Sequence, residues 1–409
     1  SFFHTPLKIL GAIKKMKESL FNYRFEYENQ KYIFNTNNNG LIQINNDIFT
    51  EEEREYLRVN RFWVDDNEDE IALLEREINH NIQKRQKELE LTIALTNYCN
   101  FSCVYCYQNK NEKLMTTEVA NMIIEKIDRI LNDNIFEGIN IHYFGGEPLL
   151  NIPVLIYLDE NIKKITDKIG IVYKAFLTTN GSMLSKELLQ KVKFSSIQLT
   201  FDGLEKTHDR LRVSDHFHFK EEIELIENIM NFSQAKVLLR TNICKENKDE
   251  IIALHKYIFE KFGNERIEIN PNRTIKYHQD DSFEMLSVQE YAEVAYQIKL
   301  LWSEQKGKFE LPVPRSTPCK FPYGNAYAIS PEGYCTFCSG SMDQEKKYFF
   351  DVDIENKKMF SVRKECKKCN ILPLCLGGCI IQYNLRAGAC TYEKYELKNI
   401  LISYIKHIS

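Results

Sequence analysis

The chain has 409 residues, of which 43% are hydrophobic, 27% charged and 12% aromatic, enough apolar material for two or three globular domains. Its 54 Lys+Arg and 58 Asp+Glu leave a formal net charge of −4, which gives no sign of bulk affinity for nucleic acid. No stretch approaches the roughly 18 uninterrupted apolar residues of a membrane helix, and the first twenty residues interleave Lys with Leu and Ile and lack the apolar block of a secretory signal. A cytoplasmic protein that binds neither membrane nor nucleic acid is expected. Leu7, Leu10, Ile13 and Leu20 recur at helical spacing, which predicts a helix over 7–20. Tyr23, Phe25 and Tyr27, then Tyr32 and Phe34, alternate with polar neighbours, and a turn at 37–40 precedes 41–44, the pattern of a three-stranded meander. Helices are predicted from Thr50 and over 69–83, completing a small α/β module by about residue 88. Strands are then predicted at 90–95, 140–144, 172–178, 196–201, 236–241 and 266–270. Helical patterns lie between them at 117–131, 150–168, 219–232 and 249–262. Six strand–helix units argue for a parallel sheet closed only in part, a partial (β/α)6 TIM-like barrel. A helix over 288–303 follows, and from about residue 310 regular patterns fade and cysteines dominate. The expected domains are 1–88, 89–309 and 310–409.

Twelve cysteines set the chemistry. None precedes Tyr98, and apart from Cys244 they fall in clusters, in a chain with only 16 Gly and 10 Pro. In a reducing compartment, clustered cysteines are more often metal ligands or catalytic thiols than disulfides. Cys99, Cys103 and Cys106 are spaced C-x3-C-x2-C in the loop after the first predicted barrel strand, the end at which barrel active sites sit. Three thiolates leave one iron of a [4Fe–4S] cluster open. The competing readings are a zinc knuckle, for which the loop lacks a fourth ligand, and buried unligated thiols.

This spacing, with aromatic Tyr105 before the last cysteine, resembles the signature of the radical S-adenosylmethionine (SAM) enzymes. Gly145-Gly146-Glu147-Pro148, ending the second strand, resembles the family's GGEP motif. The resemblance implies that this backbone and the Glu147 carboxylate bind the methionine ammonium, the glycines permitting close approach. Thr179-Asn180 ends the third strand and Thr200 the fourth, where the family usually has Ser. His208-Asp209-Arg210-Leu211-Arg212 resembles its HDxxR segment, with Arg212 as carboxylate partner of the cofactor. Arg240 and Asn242 end the fifth strand and also line the expected site. Cys244 reads as a buried thiol.

A second set resembles the SPASM extension of these enzymes, a cysteine-rich iron–sulfur domain with two auxiliary [4Fe–4S] clusters. Cys319 is followed by thirteen residues, then Gly333, four more residues and Cys338; downstream lie Cys366-x2-Cys369-x5-Cys375-x3-Cys379 and Cys390. The resemblance assigns Cys366, Cys369, Cys375 and Cys390 to the second auxiliary cluster and Cys319, Cys338 and Cys379 to the first. Two clusters of four and one of three need eleven thiolates, the number left when Cys244 is set aside. Either Cys335 closes the first auxiliary cluster or that cluster keeps an open iron; closure is the reading taken.

The N-terminal extension resembles those of peptide maturases, many of which begin with a winged-helix leader-recognition module; a mere packing extension is the alternative. The family implies three [4Fe–4S] clusters, SAM cleaved to a 5′-deoxyadenosyl radical, and a reductant of flavodoxin or ferredoxin type. The expected substrate is a ribosomally made precursor peptide with a leader. The reaction expected is a Cys sulfur-to-carbon thioether, against a carbon–carbon crosslink or an oxidised residue such as formylglycine. The non-enzyme alternatives are an iron–sulfur electron carrier and a zinc-binding interaction protein, neither of which needs an aminoacyl pocket.

Overall fold

Polar and apolar residues alternate along the strands, and this period of two decides which sheet faces are covered. The computed structural model describes residues 15–44, 49–133, 136–263, 266–276, 283–336, 338–341, 347–352, 359–379 and 390–408. They gather into two units: Ser1–Asn79 with Glu310–Pro318 and Phe360–Ser409, and His80–Phe309 with Cys319–Met359. These units cut across the three consecutive regions expected from the sequence. None of the described helices is long and apolar enough to cross a membrane.

In the first unit, Met16–Glu18 (β1) pairs antiparallel with Trp63–Asp65 (β5). The helix predicted over 7–20 is therefore a strand at 16–18, where long-range pairing overrides local periodicity; residues 1–14 lie outside the described residues. Asn22–Tyr27 (β2), Gln30–Asn35 (β3) and Gly40–Ile44 (β4) form the expected meander. Its two faces are both apolar but meet different partners. Ile33 and Ile44 pack with Leu57 and Phe62 beside helix Glu51–Val59 (α1). Phe25 and Phe34 pack with Ile371, Leu374 and, on helix Glu393–Ile408, Leu397, Leu401 and Ile405. Fully burying each such side chain contributes roughly 1.5–3 kcal/mol. Thr50 starts α1 with a capping box, accepting from the Glu53 N–H while the Glu53 carboxylate accepts from the Thr50 N–H. Helix Glu70–Arg85 (α2) follows; from it Asn79 exchanges two hydrogen bonds of 2.7 and 2.9 Å with the Phe360 backbone.

The second unit holds the six expected strands: Glu88–Ala94 (β6), Gly138–Phe144 (β7), Val172–Thr178 (β8), Phe194–Thr200 (β9), Lys236–Ile243 (β10) and Ile267–Arg273 (β11). All are parallel and stand in chain order across the sheet. Between them run helices Thr117–Asp133 (α3), Ile152–Ile169 (α4), Lys186–Lys191 (α5), Glu205–Leu211 (α6), Phe219–Phe232 (α7) and Ile251–Phe262 (α8), with Val288–Lys306 (α9) after β11. Chain-order strands with right-handed crossovers put every helix on one face. That face carries Leu91, Ile93, Ile139, Ile141, Leu177, Ile197, Leu199, Val237 and Leu239, all buried. The register places Thr92, His142, Thr178, Gln198, Arg240 and Asn270 on the other.

One feature overturns a sequence reading. The region after residue 310 is not without regular pattern: Ala326–Ile329 (β12) pairs parallel with β6, and Tyr334–Thr336 (β13) and Lys347–Tyr348 (β14) extend the sheet antiparallel. These strands have two to four residues, too few for periodicity to reveal.

Candidate active site at the carboxyl ends of the parallel strands

The loop leaving β6 is pinned on several sides before it reaches the cysteines. The Leu95 N–H donates to the Phe144 carbonyl (2.9 Å) and the Asn97 N–H to the Lys113 carbonyl (3.0 Å). Farther on, the Ser102 and Val104 N–H groups donate to the Val213 and Leu211 carbonyls (2.8 and 3.0 Å). The backbone of the HDxxR segment thus holds the cysteine loop, a role the motif did not advertise. The Cys106 N–H donates to the Cys103 carbonyl (3.2 Å), and the Phe101 N–H meets Cys99 Sγ at 3.4 Å. Burial raises the Cys99 thiol, and pushes Cys103 up to about 11 against the opposing charge of Arg212. Such thiols ionise only where a cation holds the thiolate.

Gly145 and Gly146 have a reason to be glycines within the chain itself. A methyl group on Gly145 (φ 139°) would lie 2.3 Å from the Thr96 carbonyl oxygen, and one on Gly146 2.2 Å from that of Tyr98. The close approach is to the cysteine loop, whose carbonyls at Thr96 and Tyr98 accept from the Gly146 and Glu147 N–H groups (2.8 and 2.9 Å). Glu147 is fully buried. Its carboxylate accepts from the Leu149 N–H (2.9 Å), the Thr179 hydroxyl (2.7 Å) and the Asn180 N–H (2.6 Å). Burial pushes the carboxyl up to about 6 against the pull of these donors and of Arg212. Pro148 opens the short turn Pro148–Asn151 that Glu147 caps.

The Asn180 side chain continues from this carboxylate to the cysteines, donating to Asn100 Oδ1 (2.8 Å) with Cys99 Sγ at 3.9 Å. Thr200 is buried at the end of β9. Beyond it Asp202, also buried, accepts from the Tyr105 hydroxyl and from the Asn242 N–H (2.7 Å). Arg240 donates to Asn242 Oδ1 (2.9 Å), and burial lowers its guanidinium. Arg212 lies over the Phe101 ring at 5.4 Å, with Nε buried and meeting no acceptor among the described residues. Burial disfavours its charge, but Cys103, Glu222 and Asp202 outweigh that and raise it. Arg210 instead makes a 2.7 Å ion pair with Glu246 at the surface. Cys244 is a buried thiol packed with Leu211 and Phe283.

Of the remaining cysteines, Cys319, Cys335 and Cys338 lie in the second unit, Cys335 buried on β13 and the Cys338 sulfur 3.3 Å from the Gly340 N–H. Cys366, Cys369, Cys375, Cys379 and Cys390 lie in the first. There the Cys369 N–H donates to the Cys366 carbonyl (3.0 Å), the Gly377 N–H meets Cys375 Sγ at 3.4 Å, and burial pushes the Cys375 thiol up to about 11. Sequence reading missed Asp202, Asn100 and the inner-face pairs His142–Thr178 (2.8 Å) and Gln198–Asn270 (3.2 Å). Only strand registration brings these together, although polar residues at alternate positions of buried strands were the available signal.

Cys99, Cys103 and Cys106 thus share one loop, with the charges of buried Glu147 and Arg212 acting on the thiols of Cys99 and Cys103, although among the described residues no group of three His, Cys, Asp or Glu is arranged to hold a metal ion. Residues 93–258 match the radical SAM superfamily. The chain is 34% identical over 119 residues to the uncharacterized protein MJ0907 of Methanocaldococcus jannaschii, covering 28% of this chain but only 39% of that protein's length. It is 24% identical over 372 residues to the radical SAM cyclopropyl synthase TigE of Paramaledivibacter caminithermalis, covering 80% of this chain and 76% of that one. The structure superposes on anSMEcpe with bound AdoMet and Cp18Cys peptide (TM-score 0.61, 19% identity, 78% of this chain and 98% of that one). It also superposes on Streptococcus suis SuiB bound to its precursor peptide SuiA (0.52, 16%, 90% and 97%). Both share the fold. The cysteine loop, the GGEP turn and strands β7 to β10 all fall within residues 93–258, the part of the chain that is similar to the radical SAM superfamily.

Proposed function

We propose that this enzyme matures a ribosomally made peptide, taking a hydrogen from one residue and closing a Cys sulfur-to-carbon thioether. The peptide-bound states of two solved structures with this fold carry the maturase reading, and the likeness to the radical SAM cyclopropyl synthase TigE over 80% of the chain supports the radical chemistry. When bound, the cluster and SAM supply a 5′-deoxyadenosyl radical that abstracts hydrogen. Cys99, Cys103 and Cys106 would hold that cluster. Glu147 would face the methionine ammonium and Arg212 the carboxylate, while Tyr105, Gly145, Gly146, Pro148, Thr179, Asn180, Thr200, Arg240 and Asn242 shape the pocket. The polar inner face of the sheet would receive the substrate segment.

Cys366, Cys369, Cys375 and Cys390, all in one unit, would hold one auxiliary cluster. A second rests on the sequence arrangement of Cys319, Cys335, Cys338 and Cys379. Joining a carbon radical to sulfur requires the loss of one further electron, which an auxiliary cluster would accept. The relatedness to a cyclopropyl synthase favours a second reading, a carbon–carbon bond.

Mass spectrometry of a co-expressed precursor decides. The thioether is expected to remove two hydrogens and protect one cysteine from alkylation per link. Loss of two hydrogens with every cysteine still alkylatable would replace it by the carbon–carbon reading, and an unmodified precursor would sink the maturase reading.

A further inference from the structure

Asp202 follows β9 by two residues and is fully buried, yet it belongs to none of the groups expected to contact the cofactor. One carboxylate oxygen accepts from the Tyr105 hydroxyl and the other from the Asn242 N–H at the end of β10 (2.7 Å). Asn247 locks the arrangement, its side-chain N–H groups reaching the Asp202 and Asn242 carbonyls, each at 2.8 Å. The Asp202 N–H lies 3.5 Å from His208 Nδ1, and His208 Nε2 lies 3.1 Å from buried Glu222. Tyr105 precedes Cys106 directly, and its ring also meets Phe283 edge-on at 6.4 Å. The other side of the cysteine loop is held separately, by Asn180 and Asn100. A carboxylate desolvated this completely is costly unless its donors are well placed, so the same energy that keeps Asp202 paired keeps Tyr105 in one position.

We infer that Asp202 is a positioning residue that clamps Tyr105, fixing the Cys103–Cys106 side of the cysteine loop against the ends of β9 and β10. Tyr105 is then a strut between a metal-binding loop and the sheet rather than only an aromatic wall. The clamp rests on Cys99, Cys103 and Cys106 holding the SAM-binding cluster.

The test uses anaerobically reconstituted full-length protein carrying Tyr105→Phe, Asp202→Asn, Asp202→Ala and the Tyr105→Phe/Asp202→Ala pair. Tyr105→Phe and Asp202→Ala are each expected to weaken SAM binding about tenfold and to alter the electron paramagnetic resonance line shape of the SAM-bound cluster, with iron content kept. The double variant should be no worse than Asp202→Ala, and Asp202→Asn, which keeps one acceptor, should lie closer to wild type. Independent, multiplying losses would overturn the clamp, as would a Tyr105→Phe protein indistinguishable from wild type. If Asp202→Ala fails to fold, Tyr105→Phe alone and combined with Asp202→Asn gives the same decision. Cys99→Ala/Cys103→Ala/Cys106→Ala is measured alongside: unchanged iron there would refute the ligand assignment, whereas normal iron loss there with additive Asp202 and Tyr105 effects refutes only the clamp.

Discussion

At the scale of single residues, Glu147 is a fully buried carboxyl whose protonation is open to test. Its native carboxyl near 6 stands above the ordinary 4.5, so the folded chain binds a proton more readily than the unfolded one. Stability therefore falls as pH rises through about 4.5 to 6, by roughly 2 kcal/mol from this group. If Glu147 holds the SAM ammonium as proposed, affinity runs the other way, weakening as pH falls below about 6 because the carboxyl becomes neutral. Anaerobic binding titrations between pH 5 and 8 should show that slope in the wild type and a flat profile in Glu147→Gln. Glu147→Ala removes a charge-assisted contact worth roughly 1.5–3 kcal/mol and orphans the donors of Leu149, Thr179 and Asn180, so it should also lower the melting temperature. The glycines give a second check. Gly145→Ala and Gly146→Ala press a methyl group onto the Thr96 and Tyr98 carbonyls, and each should cost iron at the Cys99–Cys106 loop before it costs helix content by circular dichroism. Retained iron and SAM binding in both would mean that the two loops do not depend on each other.

At the scale of elements, we propose that the meander docks the leader of a precursor peptide. Among the described residues β4 pairs only with β3. A cavity of about 300 Å³ beside it is lined by Gly40, Leu41, Ile42, Tyr56, Val59 and Phe62, among others, with Tyr56 and Val59 exposed. An extended peptide added to the β4 edge would meet these side chains. Tyr56→Asp/Val59→Asp should raise KM for the precursor at least tenfold with kcat retained at saturation; an unchanged KM would remove the leader-docking role. The sheet of the second unit teaches a related lesson. Chain-order topology leaves one face free of helices, so alternation of Ile141 with His142, or Leu199 with Thr200, marks an interior rather than a solvent surface.

At the scale of the whole molecule, the meander and the Cys366–Cys375 segment share a hydrophobic core. Deleting residues 1–79 would uncover Ile371, Leu374 and Leu401, so the truncated protein should lose roughly a third of the twelve irons expected of three clusters and aggregate on reconstitution. A soluble truncation with full iron content would show that the core is dispensable. Leu401→Ala, which costs about 2–5 kcal/mol in a packed core, should produce a milder version of the same loss.

The sequence alone determined the cysteine spacing, the GGEP turn, the six strands and the meander, because each is written in residues adjacent along the chain or recurring at period two. It did not determine that the glycines serve the cysteine loop, that Asp202 holds Tyr105, or that 16–18 and 326–329 are strands. Those outcomes depend on partners tens to hundreds of residues away: Thr96 for Gly145, Asp65 for Met16, Thr92 for Ala328. Tertiary structure also joined the first and last portions of the chain in one unit, because Phe25 and Phe34 on one side of the meander share their core with the helix that ends the chain.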